Sequence, residues 1–120
     1  MRFVKCEMNG IEIFIDHSGI AFSVITQIEL LGFRFPSNVE QVATELFVND
    51  ALILALDERV VASAILIRRQ HKIKLPDAII AATASAHNLT LVTRNTSDFA
   101  SIEGLSVVDP FAGLDAANNS

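Results

Sequence analysis

Three acidic residues, distant along the chain, stand where they could do chemistry: Glu29, Asp77 and Asp98. Glu29 lies just after an apolar stretch, residues 20–25, that reads as a strand. Asp77 follows Pro76 at the start of a helical pattern. Asp98 lies beyond a second strand-like run, residues 89–93, with Thr93 and Asn95 as polar neighbours. Carboxylate oxygens suit Mg²⁺ or Mn²⁺, hard ions that bind through a few acids and keep several waters. Such an ion activates a water and neutralises charge on a phosphodiester under attack. No Ser-His-Asp order, glycine-rich phosphate loop or histidine-rich zinc spacing offers a competing chemistry.

Each acid also has a structural role open to it. Thr26-Gln27-Ile28-Glu29 has the form of a capping box, in which Glu29 would bond back to the helix start. Asp77 in a first helical turn would complement the helix dipole. Asp98 could cap the turn before Phe99, and Asp50 and Asp57 read as capping or surface residues. The basic stretch Arg68, Arg69, Lys72 and Lys74, with His71, either complements a helix C-terminus or contacts phosphates. His17, His71 and His87 are isolated. Cys6 reads as a small strand residue rather than a nucleophile.

The elements that must position these groups alternate between strand and helix. Residues 2–8 and 11–15 read as strands joined at Asn9-Gly10, the strongest short hairpin signal. A turn at residues 16–19 leads to the strand at 20–25. Helices are expected over 26–31 with Gly32 as the stop, over 39–49, over 58–70 behind Asp57, and over 76–87 with Asn88 as a left-handed cap. Strands at 52–56, 89–93 and 105–108 and a helical turn at 97–102 complete the pattern. It implies an α/β domain with a mainly parallel sheet, whose sites form beyond the C-terminal ends of the strands.

Bulk properties agree. The chain has 120 residues, 51% of them hydrophobic, with a net charge of −5 and one cysteine. That is one domain, over residues 1–111, with a small-residue flexible tail at 112–120. It is not a disulfide scaffold, and no run reaches a membrane span. A cytoplasmic setting is expected. The negative charge argues against passive adhesion to nucleic acid, but not against an enzyme that cuts it with metal-binding acids.

In order, Phe22-Ser23-Val24-Ile25-Thr26-Gln27-Ile28-Glu29-Leu30-Leu31-Gly32, then Lys74-Leu75-Pro76-Asp77-Ala78-Ile79-Ile80-Ala81-Ala82-Thr83-Ala84, then Leu91-Val92-Thr93-Arg94-Asn95-Thr96-Ser97-Asp98-Phe99, and finally Asp109-Pro110-Phe111 resemble the successive motifs of PIN domains, in particular bacterial VapC-like toxins. The resemblance implies a three-layer α/β/α sandwich and a Mg²⁺- or Mn²⁺-dependent endoribonuclease. It also implies a homodimer, an RNA substrate and a neutralising antitoxin protein. The family's second, third and last acids fall on Glu29, Asp77 and Asp98, and Thr93 and Asn95 match the polar residues beside the last. Arg68, Arg69, Lys72, Lys74 and Arg94 become candidate RNA contacts.

The family's first metal ligand, an aspartate ending a central strand, has only Phe14-Ile15-Asp16-His17-Ser18 as a counterpart here. Only residues 16–19 separate that stretch from the next strand. Parallel neighbours need a crossover of about a dozen residues, so four residues permit only an antiparallel hairpin. Asp16 is therefore a weak candidate ligand, and with that acid displaced the metal is expected to bind weakly and cleavage to be slow or absent. The N-terminal segment is expected to form a meander in the vacated sheet position, to swap between chains, or to mark a lost gene start. A non-catalytic PIN-like protein that dimerises or binds an antitoxin is the alternative to the ribonuclease.

Overall fold

The computed structural model describes residues 12–16 and 18–110. The expected strand at 2–8, the Asn9-Gly10 turn, Cys6, His17 and the tail at 112–120 lie outside the described residues.

Ten elements follow in order: β1 (Ile13–Asp16), β2 (Gly19–Ser23), α1 (Val24–Leu31), α2 (Asn38–Asp50), β3 (Leu52–Leu54), α3 (Glu58–Gln70), α4 (Leu75–His87), β4 (Thr90–Val92), α5 (Thr96–Phe99) and β5 (Val107–Val108). The strands form one sheet in the order β3-β2-β1-β4-β5. β2 pairs with β3, and β4 with β5, in parallel. β1 lies in the centre and runs antiparallel to both its neighbours, β2 and β4. The sheet is thus mixed, with four strands running one way and the middle one reversed, and the β1–β2 hairpin fills the central position.

Alternation along the strands assigns each residue to a layer. Phe14, Ala21, Leu54 and Leu91 point to one face, where they pack with Val60, Ala64 and Ile67 of α3 and the small-residue stripe Ala78, Ala81, Ala82 and Ala84 of α4. Ile13, Phe22 and Ile53 point to the other, against Leu30 of α1 and Phe47 and Val48 of α2. Phe22 and Phe47 meet edge to face with ring centroids 5.6 Å apart. This is the three-layer α/β/α sandwich. The strand expected to bury Ile11, Ile13 and Ile15 on one face buries Phe14 completely instead and leaves Ile15 exposed. A central strand is covered on both sides, so alternation no longer marks its inner face.

The caps explain most helix limits. Ser37 and Asp57 accept hydrogen bonds from the backbone N–H of Glu40 and Val60 and start α2 and α3. Asn88 ends α4 in the left-handed conformation, φ 54°. Gly32 ends α1 with ordinary helical φ. Its role is close approach, since a Cβ there would stand 2.7 Å from the Ile28 carbonyl oxygen.

Candidate active site

The parallel strands carry their C-terminal ends to one edge of the sheet. Ser23 closes β2 there, fully buried, and its Oγ accepts from the Thr26 N–H at 3.1 Å. Ser23 is thus the N-cap of α1, which begins two residues before the expected start. The capping-box role for Glu29 falls away, because Thr26 lies inside the helix and its hydroxyl donates to the Glu12 carbonyl at 2.8 Å. Glu29 stands exposed on the second turn of α1. Asp77 occupies the first turn of α4 behind Pro76. Asp98 is held in α5, which is pinned by the buried ring of Phe99.

The residue that completes this edge is Glu12, only 3% exposed. Because β1 runs backwards, its N-terminal end meets the C-terminal ends of its neighbours. Ile13 pairs with Val92, so Glu12 falls level with Thr93. Glu12 Oε2 accepts from Thr93 Oγ1 at 3.2 Å, and the same Thr93 oxygen accepts from the Asn95 N–H at 3.0 Å. Thr93 is itself buried, so its hydroxyl is directed by these two partners.

The four acids share one electrostatic neighbourhood. Burial pushes the Glu12 carboxyl up to about 7, the Thr93 hydrogen bond pulls it down, and the charges of Glu29, Asp77 and Asp98 raise it further. Glu29 is raised by burial and then by Asp77. Asp77 is raised by burial and by Asp98, and Lys74 partly offsets this. Carboxylates that raise one another's proton affinity favour a cation nearby. The donor chemistry fits Mg²⁺ or Mn²⁺, which take oxygen ligands and are held through one or two carboxylates with waters in the remaining positions. Among the described residues, no three His, Cys, Asp or Glu side chains are placed so that together they could hold one metal ion. The acids sense one another's charge without gripping a single point.

Asp16 is not part of this group. It pairs with Gly19 at the opposite end of β1, and its Oδ1 accepts from the backbone N–H of Ser18 at 2.7 Å. The reversal of β1 that brings Glu12 to the site carries Asp16 away from it. The basic candidates also separate. Lys72 and Lys74 line a cleft with Asp77 and Asp98. Arg68 donates to the Ile73 carbonyl at 3.2 Å, and Arg69 and Arg94 are exposed, on α3 and just after β4.

Glu12 was legible only indirectly. An antiparallel hairpin between residues 11–15 and 20–25 puts the first residue of one strand beside the last of the other. Glu12 is the acid at that position, whereas motif matching points to Asp16.

The PIN domain family model matches residues 9–105. The chain belongs to the PIN domain family. Solved structures similar to it include chains of toxin–antitoxin assemblies. A toxin–antitoxin complex from Klebsiella pneumoniae is 38% identical with a TM-score of 0.65, over 75% of this chain and 72% of that one. VapBC2 from Rickettsia felis, bound to a DNA fragment from its promoter, is 25% identical with a TM-score of 0.65, over 73% and 72%. DNA-bound VapBC from Salmonella typhimurium, 21% identical, shares the fold with a TM-score of 0.70 over 91% of this chain and 85% of that one. No curated protein sequence matches. No described helix is long and apolar enough to cross a membrane.

Proposed function

We propose that the chain is a metal-dependent endoribonuclease, the toxin of a toxin–antitoxin pair, acting in the cytoplasm as a homodimer. The observation that carries this reading is Glu12, buried at the sheet edge with its side chain on Thr93 and subject to the charges of Glu29, Asp77 and Asp98, which supports it as the fourth acid of the site. Glu12, Glu29, Asp77 and Asp98 would hold Mg²⁺ or Mn²⁺, directly or through water. The bound ion would supply an activated water and neutralise charge on the phosphodiester. Thr93 orients Glu12, and the Asn95 N–H fixes the Thr93 hydroxyl. The toxin–antitoxin neighbours support an antitoxin protein as partner.

The non-catalytic reading keeps one observation in its favour: among the described residues, no three acids are placed to hold one metal ion together. One assay separates the two. Purified chain is incubated with single-stranded RNA and Mg²⁺ or Mn²⁺, beside Asp77→Asn. Cleavage by the parent that disappears in the variant supports the ribonuclease. Intact RNA with both, at protein concentrations equal to the RNA, leaves the chain as a PIN-fold binding protein.

A further inference from the structure

Two of the four acids, Asp77 and Asp98, also border a space that carries cations. A hollow of about 240 Å³ opens beside Asp77 and Asp98, and its other wall carries Lys72 and Lys74, with Ser97 and Ser101 between. Both lysines are exposed, so their ammonium groups are hydrated and available to a ligand. Two cations, two hydroxyls and two carboxylates thus border one small space. Carboxylates repel a phosphate unless a cation intervenes, whereas lysines attract it directly. The two walls therefore suit two adjacent parts of one polyanion.

The wall is also built rather than incidental. Lys72 and Lys74 lie in the short link between α3 and α4. Arg68, one turn back in α3, donates to the Ile73 carbonyl at 3.2 Å, between the two lysines. His71 Nδ1 lies 3.4 Å from Ser101 Oγ, which ties the link to the segment after α5. Ile73 itself packs against the main core. The link is anchored on three sides while its lysines remain outside.

From this we infer that the hollow is a backbone-phosphate subsite for single-stranded RNA. Lys72 and Lys74, helped by the Ser97 and Ser101 hydroxyls, hold a phosphate next to the one presented to the acids. Arg68 braces the link through the Ile73 carbonyl. The inference rests on the ribonuclease reading for its substrate class, but it is a statement about binding and is tested without turnover.

The test uses the full chain in an Asp77→Asn background with a short 5′-labelled single-stranded RNA in Mg²⁺. Fluorescence anisotropy gives the dissociation constant across a series of salt concentrations. Each phosphate contact on a single strand contributes about −0.7 to the slope of log K against log salt. Lys72→Ala/Lys74→Ala is expected to weaken binding at least about tenfold at low salt and to flatten the slope by roughly 0.7 to 1.4. Lys72→Arg/Lys74→Arg should retain both, since it keeps the charges. Unchanged affinity and slope in the alanine variant overturn the inference, as does a parent chain that binds no RNA. A parent that binds RNA through the lysines but never cuts it leaves the subsite standing and removes the ribonuclease. A parent that cuts RNA while the lysine variant binds normally does the reverse.

Discussion

The Thr93 hydroxyl donates to the Glu12 carboxylate across 3.2 Å, joining residues 81 positions apart in sequence. Glu12 is almost fully buried and surrounded by like charges, so this donor is its main favourable contact among the causes that set its protonation. Thr93→Val keeps the shape and removes the hydroxyl. A buried acceptor deprived of its donor costs about 1–3 kcal/mol. Urea denaturation of the variant is expected to show a loss in that range. Partners behind a metal ligand also tune affinity by roughly 10- to 100-fold, so Mn²⁺ binding by calorimetry should weaken alongside.

Protonation of Glu12 gives the metal-free chain a pH dependence of definite sign. A carboxyl raised on folding from 4.5 to about 7 binds its proton more tightly folded than unfolded. Its contribution is fully present below 4.5, declines as pH rises, and is lost above about 7, on the order of 3 kcal/mol for a shift of that size. Glu29 and Asp77 are shifted in the same direction and add to it. Thermal melts in chelator should therefore fall from pH 5 to pH 8. Glu12→Gln should flatten that decline. A profile that rises with pH would refute the assignment.

Mn²⁺ should reverse the same trend, because metal and protons compete for the carboxylates. The stabilisation by saturating Mn²⁺ is expected to be larger at pH 8 than at pH 5. By calorimetry, Glu12→Gln and Asp77→Asn should each lose roughly tenfold or more in affinity, about 1.4 kcal/mol. Asp16→Asn should bind as the parent does, since Asp16 lies at the other end of β1.

Ser23 links the sheet to the helix that carries Glu29. Removing its hydroxyl with Ser23→Ala deprives the Thr26 N–H of its acceptor. An N-cap lost in this way costs about 1 kcal/mol. Denaturant midpoints should drop accordingly, with the slope of the transition unchanged.

Much of the scaffold was readable from local chemistry. Asp57 and Asn88 mark ends of α3 and α4 because caps act within a few residues of themselves. The three acids Glu29, Asp77 and Asp98 are candidates through motifs whose spacing follows the strand and helix ends that carry them. Glu12 escapes such reading because its place beside Thr93 depends on chain direction in the tertiary structure, which alternation does not encode. Thr26 looked like a cap for a similar reason: its hydroxyl spends itself on the Glu12 carbonyl, a contact across 14 positions. The split among the basic residues was also invisible, since only the fold tells that Arg68 turns back to Ile73 while Lys72 and Lys74 face the acids.

The reversed middle strand also sets an order of assembly. Pairing β1 with β2 closes a tight local ribbon, Asp16 against Gly19, whereas pairing it with β4 must bring Ile13 to Val92. Contacts between sequence neighbours form at small entropic cost, and distant ones form late. The ribbon can thus be ready, with α1 docked, while most of the polypeptide is still unorganised. On that order, arrival of the β4 edge is expected to deliver Thr93 and Asp98 together, late in folding.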